Sequence, residues 1–263
     1  MKKLEKIFWS LVLILVVLVI IGAVVASMFL GDIVKKGVET VGPRITQVSV
    51  KLDEVHLTLL TGSASVKGLV VGNPAGYKTP QAISAGLISV GVNPMSVLSD
   101  KIVIRSIHVE SPEITFEGGL SGNNLSTILN NVDASSKTPA SASAAAATNN
   151  PAQANSSKKF EVDDLIITGA QVHVSLTDLQ GKEMTLALPP IHLTDLGRNP
   201  EGITATDLTR SVLRAITTAT VKAVGQASTD IGKNAGNVLK GAVGNAGAGS
   251  SNLIKGLGNL LGK

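Results

Sequence analysis

Four histidines, His56, His108, His173 and His192, carry most of the acid–base and metal-binding potential of this chain. Each lies in a segment whose neighbours alternate apolar and polar, and none has a second histidine at a His-x-x-x-His spacing that would offer two ligands to one metal. The pairs His56 with Glu54 and His108 with Glu110 are two residues apart, so on a strand each would share one face. That spacing suits a solvated ion pair more readily than a general base. Gly62-Ser63-Ala64-Ser65 reads as a turn rather than a nucleophile elbow, because no Gly-x-Ser-x-Gly occurs. The glycines around Gly244 to Gly249 lack the preceding strand and following helix of a phosphate loop. With no cysteine in the chain, disulfides, thiolate metal sites and thiol nucleophiles are excluded. These observations point away from an enzyme and from a cofactor. An unrecognised hydrolase would need a polar constellation that the sequence does not display.

The elements that would position any site begin with a membrane-length helix. From Ile7 to Leu30 there is no ionisable residue, and 24 residues rise about 36 Å as an α-helix, enough to cross a hydrocarbon core of about 30 Å. Lys2, Lys3 and Lys6 precede it, which predicts a cytoplasmic segment 1–6, an anchor over 7–30 and an exported body from Gly31 onward. A cleaved signal is the alternative, with Val24-Val25-Ala26 before Ser27 as its site, although Met28-Phe29-Leu30 continues the apolar run past that cut.

The body reads mainly as strands. Val48, Val50 and Leu52, then Val55, Leu57 and Leu59, alternate with a phase slip at Asp53-Glu54 that suits a turn or bulge. Further strands are expected over 64–71, 83–92, 101–109 and 112–117, punctuated by Gly72-Asn73-Pro74, Asn93-Pro94 and Ser111-Pro112. This gives a first β segment over 31–132. Residues 133–159 are built almost wholly from Ala, Ser, Thr, Asn, Pro, Gln and Lys, and are expected to form a disordered linker. A second β segment over 160–200 resumes at Phe160-Glu161-Val162. Short strands without long helices between them predict a curved antiparallel meander.

Over 201–224 the period changes. Leu208, Val212 and Ile216 recur every four residues, with Ala215, Ala219 and Ala223 beside them, and Thr204 and Asp207 supply a cap and an acidic first turn. This predicts one amphipathic helix, Thr206–Val224, with Arg210, Arg214 and Lys222 off its stripe. Ten glycines among residues 225–263 argue against a stable free helix there, and predict a flexible basic tail. Its repeated Asn-apolar-apolar units place Lys240, Leu253, Ile254, Lys255, Leu260 and Leu261 as candidates for contact with an anionic membrane or a protein partner.

A single sheet with one apolar face must cover that face with something. The candidates for it are Val48, Val50, Leu57, Leu59, Leu69, Val71, Ile88, Val90, Ile102, Ile104, Val172 and Val174. Core packing, the helix, a second sheet or lipid could each cover them. Aromatic residues make up only 2% of the chain, so a stacking platform for nucleic acid is not expected, and with most of the chain read as exported, its overall net charge of +4 points to an anionic lipid surface instead.

The run Gly68-Leu69-Val70-Val71-Gly72-Asn73-Pro74-Ala75-Gly76-Tyr77, then Val97 to Ile104 and Ile107 to Phe116, resembles the N-terminal region of AsmA-like proteins. Phe160 to Ala170 and Leu186-Ala187-Leu188-Pro189 continue the likeness, which spans about residues 1–200. The resemblance implies a bacterial inner-membrane protein with a periplasmic body, related to bridge-like lipid-transfer proteins whose curved sheet encloses an apolar groove for phospholipid acyl chains. Eight to ten strands at about 4.8 Å would build a trough of about 40–50 Å, too short to bridge two membranes alone. The competing expectation is a scaffold that binds other envelope proteins through a sheet edge or the basic tail.

Overall fold

The computed structural model describes residues 2–120, 122–137, 158–175 and 184–246; before Phe29 it describes side chains only at Trp9, 13–15 and Val17, and it describes none from Asp230 onward. The first element, α1 (Lys2–Thr46), is one continuous helix of 45 residues. It therefore runs 16 residues past Leu30 into the body, so that residues 31–46 of the expected first β segment are helix and the strands begin only after Thr46. Among the described residues no helix is long and apolar enough to cross a membrane; most side chains of the 7–30 run lie outside them.

Ten strands follow in one sheet: β1 (Val50–Lys51), β2 (Glu54–Thr58), β3 (Ser63–Gly72), β4 (Gln81–Val92), β5 (Lys101–Glu110), β6 (Glu113–Glu117), β7 (Lys159–Thr168), β8 (Gln171–Ser175), β9 (Met184–Ala187) and β10 (Ile191–Leu196). A 3₁₀ turn (Pro94–Leu98) and the helices α2 (Asn124–Lys137) and α3 (Ala205–Ala246) complete the described elements. The segments expected from alternation correspond closely to these strands, and the slip at Asp53-Glu54 is the break between β1 and β2.

The sheet is mixed rather than an antiparallel meander, because β7 runs parallel to β5 and β8 parallel to β6. The cause lies between β6 and β7, where a parallel return requires a crossover connection and α2 forms part of it. Thus the expected linker begins later than Asp133: Asp133–Lys137 belong to α2, and Lys159 already belongs to β7. The intervening residues 138–157 lie outside the described residues.

Ten strands occupy only six positions across the sheet. The breaks between β1 and β2, β5 and β6, β7 and β8, and β9 and β10 fall beside one another, while β3 and β4 cross the same line at Gly68 and Gly86. Hydrogen bonds carry the pairing over the line, from Ser111 N to Thr168 O at 2.8 Å, Gln171 N to Pro112 O at 2.9 Å and Leu188 N to Ala170 O at 2.9 Å. Positive φ at Gly68, Ser111 and Gly169 (63°, 47° and 65°) makes the bend, and burial along β4 slips phase there, from Ile83 and Ala85 to Ile88. The sheet is thus creased across its strands. Six positions give five spacings, about 24 Å, which corrects the longer trough expected from counting every strand separately.

One sheet edge is closed by α1. A Cβ on Gly31 would lie 2.2 Å from Val55 O, and one on Gly42 would lie 2.9 Å from Val50 Cβ, so both glycines allow contact that no other side chain would. Between them Lys35 Nζ donates to Asp53 O at 2.8 Å, and Leu52 N donates to Glu39 Oε1 at 3.0 Å. The helix supplies partners that an edge strand would otherwise lack. Helix α2 packs on β6 and against the C-terminal end of α1, with Phe116, Leu125, Ile128 and Val132 fully buried and Asn131 Nδ2 donating to Thr46 O at 3.0 Å.

Two compact units divide the chain, Met1–Thr220 and Val221–Lys263. Helix α3 opens as expected, with Asp207 N donating to Thr204 Oγ1 at 3.0 Å. Contrary to the expected tail, it continues through Ala246 despite Gly225, Gly232, Gly236, Gly241 and Gly244. An established helix extends without a new nucleation cost, which is the term that makes a free Gly-rich helix unfavourable. Lys240 lies in this helix; Leu253, Ile254, Lys255, Leu260 and Leu261 lie outside the described residues.

Candidate functional site

The cross-strand register lines up apolar residues in rows. Val55, Val66, Ile88, Val109, Ile167 and Ile191 are directly opposed one after another across six strands. The row Leu57, Ala64, Val90, Ile107, Leu165 and Leu193 lies beside it, and beyond the crease runs Val50, Val71, Ile83, Ile114, Val172 and Leu186. Opposed residues share a face. This is the apolar face that the sequence required something to cover.

The cover is incomplete. A cavity of ≈ 310 Å³ lies between this face, the last turns of α1 at Val38, Gly42 and Ile45, and the first half of α3 at Leu208, Val212, Leu213 and Ile216. Sheet residues from both sides of the crease line it, including Val71, Ile83 and Ile114 on one side and Ile88, Val109 and Ile167 on the other. The cavity therefore sits in the fold of the sheet. Among the described residues no ionisable side chain lines it. The hydroxyls among its described lining residues are already used within their own helices: Thr46 Oγ1 donates to Gly42 O and Thr209 Oγ1 to Ala205 O, each at 2.8 Å. What remains can solvate hydrocarbon and offers nothing to orient a polar substrate.

Of the residues named from sequence, Val50, Leu69, Val71 and Ile88 line this cavity. Val172 and Val174 are fully buried on β8, away from it, and Val48 is buried between α1 and β1. Val90, Ile102 and Ile104 are half-buried and continue the same face beyond the cavity, opposed to Ile107, Phe160 and Val162. Leu59 sits in the turn after β2. Leu57 borders a separate, polar cleft with Phe29, Asp32, Lys35, Asp53, Glu54 and His56. The sequence reasoning missed Ile83, Ala85, Ile107, Val109, Ile114, Leu165 and Ile167. Their alternation was legible, but which strands flank the crease was not.

The mouth helix α3 is held by charge. Arg210 donates to Asp133 of α2 at 2.6 Å and to Asp207 at 2.5 Å, with Arg214 3.9 Å from Asp133. The Thr204 hydroxyl, 2.7 Å away, and the Arg210 guanidinium keep the Asp207 carboxyl below its usual range against the opposing effect of burial.

The histidines do not converge. His56 meets Glu54 at 2.8 Å and His108 lies 3.7 Å from Glu110, both exposed contacts at the spacing the sequence suggested. His192 contacts Asp164, and His173 lies 3.2 Å from Thr185 Oγ1. Among the described residues no three His, Asp or Glu side chains gather as metal ligands.

A buried polar cluster instead fixes the turn of the Gly72–Tyr77 run. Glu117, only 8% exposed, accepts from Lys78 N at 2.6 Å, Thr79 N at 3.0 Å, Thr79 Oγ1 at 2.7 Å and Asn73 Nδ2 at 3.4 Å. Burial pushes its carboxyl upward, and these donors outweigh it, so the group is held below the usual glutamate range. Asn124 joins the cluster, donating to Asn73 Oδ1 at 2.8 Å, and Tyr77 Oη lies 2.9 Å from Thr127 Oγ1. The Asn73 and Tyr77 of that run therefore lock a turn to α2.

A creased sheet that folds an apolar cavity against two helices, with no ionisable side chain among its described lining residues, defines a mainly β protein with one mixed, bent sheet. The chain belongs to the AsmA family, whose family model matches residues 1–188. No curated protein and no solved structure matches the chain at a significant level.

Proposed function

We propose that this AsmA-family chain is an envelope protein anchored in the bacterial inner membrane by Ile7–Leu30, with residues 1–6 in the cytoplasm and the body in the periplasm. We propose further that its creased sheet holds a phospholipid acyl chain. The observation that carries this reading is the cavity lining: ≈ 310 Å³ whose described wall residues include no ionisable group and no free hydroxyl. That volume is at the small end of ligand sites, about 300–1,000 Å³, so a hydrocarbon chain enters and a headgroup stays outside. The reading is of a binding protein, not an enzyme, with no cofactor and no nucleic acid partner. A sheet about 24 Å across cannot span two membranes, so the chain would hold lipid locally, join end to end with further copies, or serve a larger partner.

Scaffolding through a sheet edge is the weaker alternative. One edge is taken by α1, and the other, β9–β10, is interrupted by Pro189 and Pro190, which cannot donate to an added strand.

A photoreactive residue introduced at Leu213 in the full chain tests the proposal in bacterial cells grown with radiolabelled phosphate. Ultraviolet light is expected to attach labelled lipid at Leu213 and not at Leu120, which is outside the cavity. Absence of label at Leu213 in a folded, membrane-localised protein would count against lipid binding.

A further inference from the structure

Helix α1 and the first two strands form an antiparallel pair whose register can be measured. Gly42 meets Val50 and Gly31 meets Val55. Eleven helical residues at about 1.5 Å and five strand residues at about 3.3 Å both span about 17 Å, so the two elements keep the same pace between these two contacts. From Val55 the strand continues toward the N-terminal end of α1. Three more residues reach Thr58, about 10 Å further, at the level of about residue 24 of the helix. Continued at the same pace, the turn from Leu59 to Gly62 would lie about 9 Å N-terminal to Leu30, alongside the apolar run rather than beyond it.

A second turn lies beside the first. Val92 N donates to Gly62 O at 2.6 Å, and a Cβ on Gly62 would lie 2.9 Å from the Pro94 ring. Pro94 opens a short 3₁₀ turn, Pro94–Leu98. Together the two turns present Leu60 at 67% exposure, Met95 at 85% and Leu98 at 92%. Outside α1 these are the three most exposed large apolar side chains among the described residues, and they share one end of the sheet. Such clustering carries information that scattered exposed leucines do not. Two cations border them while bonded to carbonyls: Arg105 donates to Val92 O at 2.9 Å, and Lys158 to Ser99 O at 2.6 Å. The exposed Asp100 also stands beside Leu98. An apolar tip with cations at its rim is the chemistry of the membrane interface.

We infer that this end of the sheet is a membrane-docking surface, with Leu60, Met95 and Leu98 inserted among the headgroups and upper acyl chains of the bilayer that holds α1. The inference rests on the reading of Ile7–Leu30 as a span. It places the body against the bilayer instead of on a stalk.

The test uses the absence of native cysteine and the presence of one tryptophan, Trp9, within the apolar run. Leu60→Cys, Met95→Cys, Leu98→Cys and, at the opposite end of the sheet, Leu120→Cys are each labelled with an environment-sensitive fluorophore. The full chain is reconstituted in vesicles of phosphatidylethanolamine and phosphatidylglycerol carrying a nitroxide on the acyl chain. The first three labels are expected to shift to the blue and lose emission to the lipid-borne quencher, while Leu120→Cys stays aqueous. Three unquenched labels with Trp9 quenched would overturn the docking surface and leave the span intact. Blue-shifted labels that the lipid does not quench would also overturn it, as contact with protein. An unquenched Trp9 would overturn the span reading itself.

Discussion

Glu117 shows how a single residue can carry a local fold. Four donors converge on its carboxylate, and removing the charge leaves at least one of them buried without a full partner. Glu117→Gln is expected to cost about 1–3 kcal/mol in urea denaturation. Because the folded carboxyl titrates below its unfolded counterpart, its contribution is complete above the ordinary glutamate range and is lost as pH falls through the folded value. The variant should therefore show a weaker fall in stability below about pH 4.5 than the parent. Gly31 gives a steric prediction at the same scale. Gly31→Ala would set a methyl 2.2 Å from Val55 O and should lower the melting temperature, whereas Gly86→Ala, with nothing within 4 Å, should leave it nearly unchanged. Sequence reading marked Gly72-Asn73-Pro74 as a turn but could not show the carboxylate that clamps it, because Glu117 lies more than 35 residues away in the chain.

At the scale of elements, periodicity located the strands and the start of α3 well, since period two and a Thr204–Asp207 cap are local signals. What it could not locate was whatever local signals do not encode. Two runs divided by Ser111-Pro112 look like separate strands, yet they form one bent ribbon, as do β7 with β8. Helix α2 was hidden because Asn, Ser and Asp dilute its stripe, although Leu125, Ile128 and Val132 are spaced for one face. Its partnership with α3 gives a prediction. Arg210 joins two carboxylates, so Arg210→Gln should loosen the start of α3 by about 1 kcal/mol, the scale of a partly exposed ion pair. Faster amide exchange over 205–216 with unchanged exchange in β3–β5 would be the signature. Acidification should act in the same direction, because the Asp207 carboxyl stabilises when ionised and loses that contribution as pH falls through its lowered folded value.

For the whole molecule, the crease joins fold to function. A flat six-position sheet would present its rows of valine, isoleucine and leucine to one packed layer. Folded about Gly68, Ser111 and Gly169, the sheet wraps them around a space that α1 and α3 do not fill. The apolar face was legible in the sequence; the empty volume was not, because it depends on how the bend, α1 and α3 meet. The most direct measurement is native mass spectrometry, with lipid extraction, on the full chain purified in mild detergent, beside Ala85→Phe, which fills the cavity from a buried wall position. The parent is predicted to carry about one phospholipid and the variant to lose it while melting no lower. A folded parent free of lipid, or lipid retained equally by both proteins, would contradict the cavity as its binding site.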